Sequence, residues 1–120
     1  MKPLFLPWPA RDLHPNARPH FAKKARATKS ARRDAHLRAW EAGWHLVQLP
    51  EGRLHLWITF YPPNSQKRDD DGLLAAFKAA RDGIADALKI DDSRFISHPY
   101  LDTEVRPGGQ VRVTITGAAE

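Results

Sequence analysis

The 120-residue sequence contains no cysteine. Disulfides, thiolate zinc sites, cysteine-ligated iron–sulfur clusters and a cysteine nucleophile are thereby excluded, and a reducing compartment is favoured. Nor does any apolar run approach the roughly 18 residues that a membrane helix needs, so an integral membrane protein is not expected. The opening MKPLFLPWPARD interrupts its few apolar residues with Pro3, Pro7 and Pro9. No export signal is evident there, and the chain reads as cytoplasmic. What remains is enough for one compact core: 42% hydrophobic and 28% charged residues in a length that suits a single domain over 1–120.

The net charge of +5 is unevenly spread. Residues 1–45 hold ten Lys/Arg against three acids, whereas residues 46–120 hold nine against eleven. A basic half beside a half with a dense Asp cluster points to a polyanion, with nucleic acid the leading partner class. The competing reading is a solvated basic helix.

Along the chain, residues 3–7 suit a short strand that Pro7 ends or places at an edge. The stretch from about 9 to 27, with Pro9, Pro15 and Pro19 and no periodicity, reads as a long basic loop. It carries His14, Asn16, Arg18, His20, Lys23, Lys24 and Arg26, for which DNA contact is the natural role. A helix is expected from Thr28 to Ala42, ending near Gly43, with Leu37, Trp40 and Trp44 as its buried stripe and Lys29, Arg32, Arg33 and His36 largely elsewhere. RLHLWITFY (53–61) predicts a central strand closed by Pro62 and Pro63. Asp71 to about Lys89 predicts a helix with Leu73, Phe77, Ala80, Ile84 and Leu88 on one stripe. Gly83 within it hints at close packing or a kink. RFISHPYLDTEV and QVRVTITG flank Arg106-Pro107-Gly108-Gly109 and predict a terminal hairpin. The expected class is α+β, in the order strand, helix, strand, helix, strand, strand, with helices on one face of a mixed sheet.

The run KRDDDG (67–72) places three carboxylates at the start of the long helix. Two readings stay open. Asp caps and complements a helix N-terminus, and two carboxylates on one side, Asp69 and Asp71 of an extended approach, suit Mg²⁺ or Mn²⁺. Lys78 and Asp82 lie within about 20° of Asp71 around the helix, with Lys78 about 10 Å along it. The six histidines show no repeated metal-ligand spacing.

LPWP (6–9), RDDDGLLAAFKAARDGIADALKIDD (68–92) and GGQVRVTITG (108–117) resemble the RusA family of Holliday junction resolvases, including its phage-encoded members. The similarity runs over nearly the whole chain. It implies a homodimeric, bacterial or phage-encoded endonuclease of DNA recombination and repair that uses Mg²⁺ or Mn²⁺, and no small-molecule cofactor, to cut four-way DNA junctions. The family pattern Arg-Asp-x-Asp-Asn falls on Arg68, Asp69, Asp70, Asp71 and Gly72. Asp69 and Asp71 therefore take the essential-carboxylate role, and Asp92, with Asp91 beside it, the third. Gly72 stands where Asn is usual, and the family lysine falls on Ala75, with Lys78 the nearest substitute. Lys67, Arg68 and Arg81 join Lys23, Lys24, Arg26, Lys29, Arg32 and Arg33 as expected DNA contacts. An unbroken helix of about 27 Å would set Asp92 far from Asp71. Either the helix breaks near Gly83, or a partner subunit supplies Asp92 across a two-fold axis.

Overall fold

In a computed structural model, which describes residues 1–117, four strands and three helices follow one another in the order β1 (Leu4–Pro7), α1 (Phe21–Glu41), β2 (Leu54–Tyr61), α2 (Asp70–Ala76), α3 (Lys78–Leu88), β3 (Phe95–Leu101) and β4 (Gln110–Gly117). Short 3₁₀ turns lie at Arg11–Leu13, Trp44–Leu46 and Asp92–Arg94. The sheet order is β1-β4-β2-β3, with β1 and β2 antiparallel to β4 and β2 parallel to β3. This mixed sheet under a helical layer is an α+β domain.

Proline explains the order. Pro7 in β1 and Pro99 in β3 cannot donate to a ladder on both sides, and both strands lie at edges; β2 and β4 contain no proline and are central. The expected terminal hairpin is therefore corrected. The turn forms as predicted, with Gly109 N–H donating to the Arg106 carbonyl at 2.8 Å and Gly108 and Gly109 at positive φ. It delivers β4 between β1 and β2, however, and not beside β3.

Alternation along the strands sends Leu4, Leu6, Leu54, Leu56, Ile58, Phe60, Val111 and Val113 into the core. Each of the larger side chains contributes about 1.5–3 kcal/mol by burial. Phe77 and Ile84 come down on them from the helices, and Phe77 meets Phe60 edge to face with ring centroids 5.9 Å apart.

Helix α1 starts at Phe21, seven residues before the expected Thr28, so the basic stretch is a loop only as far as His20. Phe21–Ser30 has neither Pro nor Gly and is rich in Ala, Lys and Arg, all strong helix formers. His20 caps it by accepting the Ala22 N–H. Its buried stripe also differs. Ala35 and Ala39 face the core, whereas Leu37 and Trp40 stay 50% and 45% exposed; Trp44, in the following turn, is buried and donates from Nε1 to the Lys2 carbonyl. The reason lies on α3. A Cβ at Gly83 would stand 2.1 Å from the Arg32 carbonyl oxygen, so the two helices approach at a distance that admits only small side chains. Gly83 thus marks close packing and no break.

Candidate functional site

The loop leading into α2 is organised by Arg68. Its guanidinium donates to the carbonyls of Asn64 and Gln66 and to Asn64 Oδ1, and it lies 5.4 Å from the centre of the Trp8 ring. Asp69 is still extended and caps α2, its Oδ1 accepting the Asp71 N–H at 3.1 Å. Asp70 and Asp71 already belong to the first turn. The expected extended approach, with Asp69 and Asp71 side by side on one strand face, is thereby corrected. All three carboxylates are exposed, and the capping role is the one that Asp69 is seen to fill.

The helical path continues past the α2–α3 junction. Phe77 keeps αR geometry and donates to Leu73, and Arg81 N–H donates to the Phe77 carbonyl, so helical phase carries from Asp71 to Lys78. At the far end Lys89 adopts a left-handed conformation (φ 56°, ψ 44°), and Ile90 N–H reaches back to the Ala85 carbonyl. The chain reverses there. Asp91 caps the next turn through Ser93 N–H, and Asp92 returns to α3, with Oδ2 3.0 Å from Lys78 Nζ and 3.4 Å from Arg81 Nη1. Asp92 thus reaches Lys78 of its own chain with α3 unbroken at Gly83, and no hydrogen bond or ion pair among the described residues joins it to Asp69 or Asp71.

Lys78 also donates to Asp82 at 3.0 Å, one turn on. Across the groove Arg32 of α1 makes a two-pronged pair with Asp86, at 2.7 and 2.9 Å. An open polar cleft of about 330 Å³ lies between them, walled by Arg32, Lys78, Asp82, Asp86, Asp91 and Asp92. These contacts set the electrostatics. Hydrogen bonding from Lys78 holds the Asp92 carboxyl below its ordinary value, and Asp82 and Asp92 together raise Lys78 above its own. Arg32 lowers Asp86 in the same way. The Lys78–Asp92 and Arg32–Asp86 pairs thus each favour the charged forms of both partners.

The expected DNA-contacting cations divide into two groups. Arg81 is half-buried and donates to the carbonyls of Asp92 and Phe95; Arg68 and Arg32 are likewise engaged. Lys24, Arg26, Lys29, Arg33 and Lys67 are exposed and make no ion pair among the described residues, and Lys23 makes a loose one to Asp12 at 3.8 Å. These six remain open to phosphate.

The donor set does not fit a single Mg²⁺ or Mn²⁺ as arranged. Asp69 is turned onto a backbone N–H, Asp92 is held by two cations, and no group of three His, Asp or Glu among the described residues is disposed to share an ion. Sequence reasoning missed Asp86, whose i+4 spacing from Asp82 was the available signal, and it placed His14 only among the DNA contacts of the basic loop, with no link to Gly72. A Cβ at Gly72 would lie 2.8 Å from His14 Cε1. Gly72 therefore leaves room for an imidazole over the start of α2. Ala75 is exposed and supplies no cation.

No helix among the described residues is long and apolar enough to cross a membrane. No family model matches the sequence. A protein of Xylella fastidiosa (strain Temecula1 / ATCC 700964), described as uncharacterized, is 56% identical over 121 residues, an alignment that spans 100% of this chain and 79% of that one. The chain belongs to one family with this Xylella protein.

Proposed function

We propose that the protein is an endodeoxyribonuclease acting on branched DNA, with four-way junctions as its first substrate and Asp71, Asp92 and Lys78 at its site. The observation that carries this reading is the return of Asp92 to Lys78. It brings the third carboxylate of the RusA-like pattern back along the helix that Asp71 begins, on the phase that Lys78 shares with Asp71. The exposed cations of α1 supply the sequence-independent grip on phosphate.

Phosphodiester hydrolysis needs a positioned water and a cation at the charge that develops on phosphate. Lys78, 59% exposed at its side chain, is placed to take a phosphate oxygen. In doing so it would leave Asp82 and Asp92, whose carboxylates become available to orient water. Because the carboxylates do not converge in the free chain, no step here is routed through a metal, and Mg²⁺ and Mn²⁺ enter as variables of the assay. A dimer is the expected unit, since two symmetric nicks suit a two-fold enzyme; sedimentation velocity reads this directly.

The test is cleavage of an end-labelled immobile four-way junction beside a linear duplex of matching sequence, with Mg²⁺ or Mn²⁺, by the wild type and Asp71→Asn. Symmetric nicks confined to the junction, lost in the variant while binding persists, are expected. A second reading, a DNA-binding protein without cleavage, is favoured by the capping role of Asp69. Junction binding with no nick under either metal would establish it.

A further inference from the structure

The helices cover one face of the sheet. The other is open. Register assigns to it Phe5 of β1, Gln110, Arg112, Thr114 and Thr116 of β4, His55, Trp57, Thr59 and Tyr61 of β2, and Ile96, His98 and Tyr100 of β3. None of these is acidic, in a chain that has fourteen Asp and Glu. Three of the aromatic rings are well exposed: Phe5 at 40%, Trp57 at 42% and Tyr100 at 58%.

The centre of this face is already built as a stack. Trp57 lies on His98 with ring centroids 4.2 Å apart and planes 18° apart. His98 Nε2 is 2.6 Å from His55 Nδ1, which fixes the second imidazole beside it. Trp57 Nε1 donates to Thr116 Oγ1 at 2.8 Å, so the indole is held in plane from one side and supported from beneath. Tyr100 stands two residues along β3 from His98, on the same face. A further ring, Tyr61, carries Arg106 over it at 3.5 Å, and Arg106 is itself paired with Glu104. Arg112 adds a cation between Phe5 and Thr59 in register.

We propose that this open sheet face is a stacking platform for the unpaired bases of single-stranded DNA, with Trp57 and Tyr100 as its two base-bearing rings and Arg112 as its phosphate contact. Preoriented aromatic rings on strands that carry a cation and no carboxylate are what base stacking and backbone attraction require, Glu104 at the border being paired with Arg106, and such stacking tolerates any sequence. A second copy of the chain fits less well. A two-fold sheet-on-sheet interface would bury Arg112 on each side against strands that carry no acid to pair with it. The choice of DNA over RNA rests on the branched-DNA reading above; the platform itself lies on a different face from the Asp71–Asp92 site and does not depend on cleavage.

The experiment is titration of the full chain with a fluorescein-labelled oligothymidylate, in EDTA so that no cleavage intervenes. It is followed by anisotropy and by tryptophan emission, with an oligouridylate of equal length as the second arm. Binding with quenching of tryptophan emission is expected. Trp57→Phe should keep most of the affinity and lose most of the quenching. Tyr100→Ala and Trp57→Ala should each weaken binding about tenfold, given stacking of roughly 1–3 kcal/mol per base. Tyr100→Ala tests the proposal independently of folding, since that ring is exposed. Unchanged affinity in Tyr100→Ala and Trp57→Phe with unchanged quenching would overturn the platform, and tighter binding to oligouridylate would overturn its assignment to DNA. A wild-type dimer that Trp57→Ala dissociates would show the face covered by a second copy and overturn the proposal as well. Junction cleavage that fails while the oligothymidylate still binds through Trp57 would count against the nuclease reading alone.

Discussion

Lys78 Nζ lies 3.0 Å from Asp92 Oδ2, joining the start of α3 to a residue fourteen positions later. The pair depends on the chain reversal at Lys89 and holds the Asp92 carboxyl below its ordinary value. Its pKa lies below the unfolded value, so the ionic contribution is present above that value and is lost as pH falls through the folded one, in a window below about pH 4. Lys78→Met should move the Asp92 midpoint back up towards that of an ordinary carboxylate, as read by NMR titration of its side-chain carboxyl carbon. An unchanged midpoint would mean that Arg81 suffices to hold it.

Gly83 carries the contact between α1 and α3. Gly83→Ala gains roughly 1 kcal/mol of helix propensity, yet its Cβ would overlap the Arg32 carbonyl, and overpacking against backbone costs about 3 kcal/mol or more. A net loss of about 2 kcal/mol in urea unfolding is expected. A stabilised variant would show that the helices move apart freely.

Gly72 and His14 form a second matched pair. Gly72→Asn drives a Cβ into the His14 ring, which can rotate away at modest cost. Thermal unfolding should show a lower midpoint for Gly72→Asn alone and a smaller loss when it is combined with His14→Ala. Additive losses in the double variant would separate the two residues.

Lys89 occupies a left-handed conformation that costs a side-chain-bearing residue about 1–2 kcal/mol. Lys89→Gly relieves this and gives back part of the gain as unfolded-chain entropy. Stability should rise by up to about 1 kcal/mol in denaturant unfolding, with the Asp92 titration unmoved.

Strand β2, the core stripe of Leu73, Phe77 and Ile84, and the turn at Pro107-Gly108 were legible in the sequence because each is set by local periodicity or turn chemistry. Pro99 held the key to the sheet order. It marks β3 as an edge strand, yet the turn signal beside it invites a hairpin, and the choice between neighbours is made by long-range pairing. Leu37 and Trp40 match a helical stripe as well as Ala35 and Ala39 do. What excludes them is the close approach enforced by Gly83, a contact invisible to any local window. The Asp cluster was plain in sequence; its division into a cap at Asp69, a cap at Asp91 and a paired carboxylate at Asp92 was not, because nothing in KIDD other than the chain's own packing calls for a reversal at Lys89.

The most direct measurement is single-turnover cleavage of a labelled four-way junction by the wild type and by Asp92→Asn, with junction binding followed in the same samples. The account predicts junction-specific nicking by the wild type, assayed with Mg²⁺ and with Mn²⁺, a loss of two or more orders of magnitude in the variant, and near-equal binding. Equal nicking by both proteins, or tight binding by the wild type with no nick under Mg²⁺ or Mn²⁺, would contradict it.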